Sequence, residues 1–158
     1  MTDTPTFPLI LCDNSGYLDL LDNEKGLAQT NVLGFLKGAF LGFTAYDGNG
    51  ITWTVNELKT TYRINGLTRF LAYTIYNPII KVTFQWRKGK AYKFDDLKHK
   101  LSKQVDKDDD VLTQYKEGEF IKQEIHKSES FSEIVAVLEK CVFKVNEQKL
   151  QQEQESRK

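Results

Sequence analysis

The sequence has little sulfur, little histidine and no net charge. Its two cysteines, Cys12 and Cys141, stand far apart and in no paired spacing. That count excludes a disulfide framework and a cysteine-type zinc site, and free thiols fit a reducing compartment. The two histidines, His99 and His126, lie beside lysines at helical positions, away from any expected turn that carries serine or cysteine. No G-x-S-x-G elbow, phosphate-binding loop, Rossmann glycine pattern or H-E-x-x-H occurs. No apolar run approaches the ~18 residues that span a bilayer. The start, MTDTPTFPLILC, lacks the basic stretch and small-residue cleavage site of a secretory signal, so a cytoplasmic protein is expected. With 22 basic and 22 acidic side chains the formal net charge is zero. This excludes a chain that works mainly as a polycation on nucleic acid or on an anionic membrane.

What is present is an ordinary globular composition of 40% hydrophobic, 12% aromatic and 28% charged residues over 158 positions. That length suits one domain. A single α+β domain is expected over residues 1–146. Residues 147–158 form a polar tail with almost nothing to bury, expected to be frayed or disordered. The neutral total hides a segregation of charge. Residues 1–80 carry 5 basic and 7 acidic side chains, residues 81–105 carry 8 and 2, and residues 106–158 carry 9 and 13.

Turn chemistry and periodicity divide the chain. Residues 8–12 and 17–21 flank Asp13-Asn14-Ser15-Gly16 and read as a hairpin. Asp22 is placed to cap a short helix over residues 23–30, with Leu27 and Ala28 inward. Gly34, Gly38 and Gly42 argue against a helix in the following stretch. Residues 40–46 and 51–58 read as strands joined by Asp47-Gly48-Asn49-Gly50, the strongest hairpin signal in the chain. Leu67, Phe70, Leu71 and Ile75 have helical spacing. Ile80, Val82, Phe84 and Trp86 then alternate with polar residues as in a strand with one buried face, and Gly89 reads as its turn. Asp95 is placed to cap a helix carrying Leu97, Leu101 and Val105. A further helix holds Phe120, Ile121 and Ile125, and Ser130 with Glu133 forms a capping box before a last one. Strands first and helices later favour an α+β fold with a mostly antiparallel sheet, built from N-terminal hairpins and a central strand.

Two charged constellations are candidate sites. The first is the acidic group Asp106, Asp108, Asp109, Asp110, Glu117 and Glu119. Asp106, Asp108, Asp110, Gln114 and Glu117 have the spacing of a calcium loop. The sharp turn of such a loop needs glycine, and Val111 occupies that position. The expectation is a solvated acidic connection with no metal. The second is the basic run Arg87, Lys88, Lys90 and Lys93, interleaved with Trp86, Tyr92 and Phe94. Alternating cations and rings suit single-stranded nucleic acid or another anionic ligand. The strand period, however, turns Phe84 and Trp86 toward the core. No catalytic residue and no cofactor is expected, although spacing alone does not exclude a site assembled from distant residues.

Four stretches taken together, NSGYLDLLDNEKGL (14–27), AYDGNGITW (45–53), DDDVLTQY (108–115) and SESFSEIVAVL (128–138), give an order that resembles small cytosolic immunity proteins accompanying bacterial polymorphic toxins. They cover 42 of the 158 residues. The family spans many folds, so the resemblance brings no catalytic residue to this chain. It implies a mode of action: stoichiometric binding to a cognate protein toxin and occlusion of its active site, without enzymatic chemistry, cofactor or membrane. On that reading the acidic group would face a basic toxin cleft by mimicking phosphates, and the basic run would face an acidic one. The alternative function is a nucleic-acid or anionic-ligand module using residues 81–105.

Overall fold

The computed structural model describes residues 3–22, 28–107, 112–143 and 155. The fold is α+β. Strands β1 (Leu9–Cys12), β2 (Leu18–Leu21), β3 (Ala28–Asn31), β4 (Thr44–Tyr46), β5 (Ile51–Lys59) and β6 (Ile79–Ala91) form one sheet in the order β2-β1-β4-β5-β6-β3. The pairs β1–β4, β4–β5, β5–β6 and β3–β6 are all antiparallel. Helices α1 (Val32–Leu36) and α2 (Gly66–Thr74) interrupt the strands, and α3 (Phe94–Asp106), α4 (Gly118–Lys127) and α5 (Phe131–Leu138) follow them. The helices therefore lie mostly in the C-terminal half. The chain divides into two compact units, Met1–Asp13 with Leu21–Ala91 and Asn14–Leu20 with Tyr92–Lys158.

In the first unit the long pair β5–β6 is the frame. Trp53 and Val55 of β5 are buried, then Leu58 is. The inward phase changes from odd to even because Asn56 is an extra residue: Val55 pairs with Trp86 and Glu57 with the next residue, Gln85. A one-residue bulge turns every later side chain to the other face, so Leu58 points inward where strict alternation would expose it. On β6, Ile80 and Val82 are buried while Ile79, Lys81, Thr83 and Gln85 are exposed. The alternation expected from sequence is present.

The hairpin between β4 and β5 is organised by one side chain. Asp47 is only 1% exposed. Its Oδ1 accepts from the backbone N–H groups of Asn49 at 3.0 Å and Ile51 at 2.9 Å, and its Oδ2 accepts from the Trp53 indole N–H at 2.8 Å. A carboxylate held by three donors fixes the turn and satisfies a buried indole at once.

Several local expectations are corrected, among them the start of the strand expected over residues 40–46, since β4 begins at Thr44. Residues 28–30 are strand, not helix, because Ala28, Gln29, Thr30 and Asn31 pair with Val82, Lys81, Ile80 and Ile79; pairing with a long strand overrides local propensity. The rest of the expected helix, residues 23–27, lies outside the described residues. A helical turn, α1, forms across Gly34, because the Asn31 side chain caps it by accepting from the Gly34 N–H at 2.7 Å. Gly89 is not a turn, since β6 runs through it to Ala91. Its register slips beside Gly89: Ile51 pairs with Ala91 but Trp53 with Lys88. A Cβ at position 89 would stand 2.9 Å from the Thr52 carbonyl oxygen, so glycine lets the two backbones approach. Gly89→Ala is expected to cost about 1–3 kcal/mol, as overpacking does, and to lower the urea midpoint without changing the slope.

The second unit is helical. Leu97, Leu101 and Val105 of α3 are buried as their spacing predicts, with Ile121 and Ile125 of α4 and Ile134 and Leu138 of α5. The buried Gln104 donates to the Tyr17 carbonyl at 2.7 Å. Lys93, not Asp95, is the N-cap of α3, and Asp95 and Asp96 fall in its first turn, where they favour the helix dipole. Ser130 caps α5 by accepting from the Glu133 N–H at 3.2 Å. The Glu133 carboxylate reaches back to the Glu129 N–H at 2.6 Å, one residue before the cap. A π-helical turn, Glu139–Phe143, buries Cys141 and Val142. The expected polar tail lies outside the described residues, Glu155 apart.

Candidate binding surface

The most unusual surface of the molecule lies on α2 and the segment after it. Leu67, Phe70 and Tyr73 recur at three-residue spacing along one stripe of the helix and are 66%, 61% and 61% exposed. Ile75, Tyr76 and Ile79 continue the surface at 85%, 60% and 74%. Scattered apolar residues are normal on a protein exterior, but six large ones within thirteen positions are not. Only Ala72 of α2 is buried. Of the residues whose spacing marks the helix, Leu67, Phe70 and Ile75 are exposed and Leu71 is half-buried.

This surface is held firmly. Asn65 and Thr68 form a reciprocal capping box, each side chain accepting from the other's backbone N–H at 3.0 and 2.8 Å. At the far end the N–H groups of Ile75 and Tyr76 both donate to the Leu71 carbonyl at 2.8 Å. The segment beyond is tied to α1: the Leu33 N–H donates to Asn77 Oδ1 at 3.1 Å and the Val32 N–H to the Pro78 carbonyl at 3.2 Å. Exposure of these apolar side chains therefore coexists with an anchored backbone. An ordered surface loses less entropy when a partner binds it.

The acidic candidates are partly assembled. Asp106 ends α3, Glu117 is the N-cap of α4 and Glu119 lies in its first turn. Asp106 and Glu119 both hold the Lys122 ammonium, each at 2.7 Å. The hydrogen bonds that the Lys122 ammonium donates to Asp106, then to Glu119, raise its pKa above the ordinary value. A raised lysine stabilises the fold while protonated, and that contribution fades as pH rises through its folded value, above the ordinary range near 10.4. Two of the six acids thus share one cation. Asp108, Asp109 and Asp110 lie outside the described residues.

The basic candidates Arg87, Lys88 and Lys90 are exposed on β6, and Lys93 is exposed before α3. Lys88 pairs with Asp3 at 3.1 Å. The rings between them are not a free stacking platform. Trp86 is half-buried with its ring 5.4 Å from Phe84, and Phe84 packs 5.5 Å from Phe40.

Two arrangements bear on chemistry. His126 Nε2 lies 3.3 Å from Ser102 Oγ, a pair brought together by α3 and α4 that spacing did not reveal. The serine hydroxyl donates to the Lys98 carbonyl at 3.0 Å, so its proton is committed to the helix. The pair ties two helices together. A cavity of about 230 Å³ is lined by Thr4, Pro5, Phe7, Leu21, Thr83, Phe84 and Trp86. These side chains supply no titratable group for acid–base work. Among the described residues no group of three or more metal-ligating side chains converges, and no helix is long and apolar enough to cross a membrane.

Both thiols are buried, and neither is in a disulfide. Burial pushes the Cys141 pKa up, outweighing the nearby Lys140 charge. Its folded pKa lies above the unfolded one, so its contribution to stability falls as pH rises past the ordinary thiol range, near 8.5. The expected result is negligible reaction of native protein with a disulfide reagent at pH 8, and reaction of two thiols per chain after denaturation. Fast labelling of the native protein would contradict this burial.

The surfaces thus differ in kind: an anchored apolar face on α2, a partly neutralised acidic cluster and a basic strand. Neither a protein-family model, a curated protein nor a solved structure matches the chain.

Proposed function

We propose that this protein is a non-enzymatic immunity protein, binding a protein toxin and occluding its active site, with the exposed face of α2 as the main contact. The observation that carries the reading is the group Leu67, Phe70, Tyr73, Ile75, Tyr76 and Ile79, apolar, exposed and set on a tethered backbone. Binding proteins concentrate their affinity in a few aromatic and apolar anchors of this sort. An inhibitor needs a rigid complementary surface and no reactive side chain. The assignment of the partner as a toxin rests on the sequence resemblance. The acidic group is a weaker anchor in this reading, because Lys122 already neutralises part of it.

The test is co-expression with the product of the adjacent open reading frame. A one-to-one complex, and protection of the host from that product, is the expected result. Absence of both contradicts the proposal. So does turnover of a small molecule by the purified protein that a single substitution abolishes.

A further inference from the structure

We infer that the partner of the α2 face is a different protein, whose own contact face is apolar at its centre and rimmed by carboxylates. The inference rests on the reading of residues 66–79 as a contact surface, and not on the partner being a toxin.

Charge is the argument. From Leu58 to Phe94 the chain carries eight basic side chains and no acidic one. Three of the eight lie within or beside the apolar group along the chain. Arg63 is exposed in the turn before α2. Arg69 is exposed on α2 four residues before Tyr73, hence about 40° from it around the helix. Lys81 is exposed on the same side of β6 as Ile79, two residues away. Among the described residues none of the three is held in an ion pair, whereas Lys88 and Lys122 each have a carboxylate. An apolar centre with a cationic rim is complementary to an apolar centre with an anionic rim.

The same pattern disfavours other occupants. A second copy would form an isologous contact, placing like charges across the joint. Nucleic acid would use the rings and the cations but leave Leu67, Ile75 and Ile79, aliphatic groups that cannot stack on bases, without a partner. An anionic bilayer gains only about 1 kcal/mol per basic residue near its surface, and α2 has nine residues with one charge. Tyr73, Tyr76 and Arg69 are of the types that protein interfaces favour.

The experiment places a benzophenone amino acid at Tyr73 and irradiates cells producing the full chain. The crosslinked protein is identified, purified and titrated against the unmodified chain and against the Arg63→Glu/Arg69→Glu variant. The expected result is one heterologous crosslink, with the double reversal weakening binding about tenfold or more at low salt, mainly through association rate. The difference should vanish at ~1 M salt, where charges are screened. Crosslinking only between copies, or to nothing, overturns the inference. So does a partner whose affinity ignores the double reversal. Phosphatidylserine vesicles or a single-stranded oligonucleotide that bind through the same residues also overturn it. A partner with these properties that is no toxin leaves this inference standing and removes the immunity function. Protection that survives the double reversal does the opposite.

Discussion

Replacing Asp47 by alanine is expected to lower stability by about 3–4 kcal/mol. The reason is what remains behind. Trp53 is 3% exposed and its indole N–H now donates to Asp47 Oδ2. Without the carboxylate that donor stays buried and unmet, and the turn loses the acceptor for the Asn49 and Ile51 N–H groups. Asp47→Asn should cost less, about 1–2 kcal/mol, since one oxygen remains while the new amide opposes the indole N–H. Trp53→Phe in the Asp47→Ala background should cost less than in the wild type, because it removes the orphaned donor. That coupling, measured by urea unfolding in a double-mutant cycle, separates the hydrogen bond from the packing of the ring. Equal costs in both backgrounds would contradict it.

The second large effect concerns binding and leaves folding alone. Phe70→Asp with Ile75→Asp should abolish neutralisation of the partner, weakening the complex by about 100-fold or more, as loss of two central anchors does. Both side chains are mostly exposed, so the melting temperature should stay near that of the wild type; surface changes usually lie within about 0.5 kcal/mol. A variant that melts much earlier would mean that these side chains support the core. A variant that binds normally would remove α2 from the contact. The charge reversal at Asp106 and Glu119 gives the contrast: it should change association modestly and leave the affinity near that of the wild type.

Much of the framework was legible in the chain itself. The Asp47-Gly48-Asn49-Gly50 hairpin, the alternation along β6, the inward row Leu97, Leu101, Val105 and the Ser130 cap all follow from short-range rules, because each is decided by neighbours in sequence. What was not legible depends on partners distant in the chain. Residues 28–31 become strand only because Ile79 to Val82 offer an edge to pair with. Gly89 looks like a turn until the approach of Thr52 reveals a close backbone contact within a continuous strand. The extra residue at Asn56 shifts the inward phase of β5 by one.

The α2 surface is the most instructive case. Leu67, Phe70, Leu71 and Ile75 have the period of an amphipathic helix, and the helix forms. Periodicity, however, reports only that one stripe wants to leave water. It reads the same whether the chain's own core covers that stripe or a second molecule does. The small residue Ala72 marks the inward side here, and nothing in the period distinguishes that side in advance. The charged groups, conspicuous in the sequence, are accordingly the natural candidates for contact, while the apolar stripe reads only as a helix with one side to bury.

Amide hydrogen exchange with and without the bound partner compares the three surfaces in one measurement. Slowed exchange confined to residues 66–79 is the result this account requires. Protection at Asp106 to Glu119 or at Arg87 to Lys93, with residues 66–79 unchanged, would contradict it.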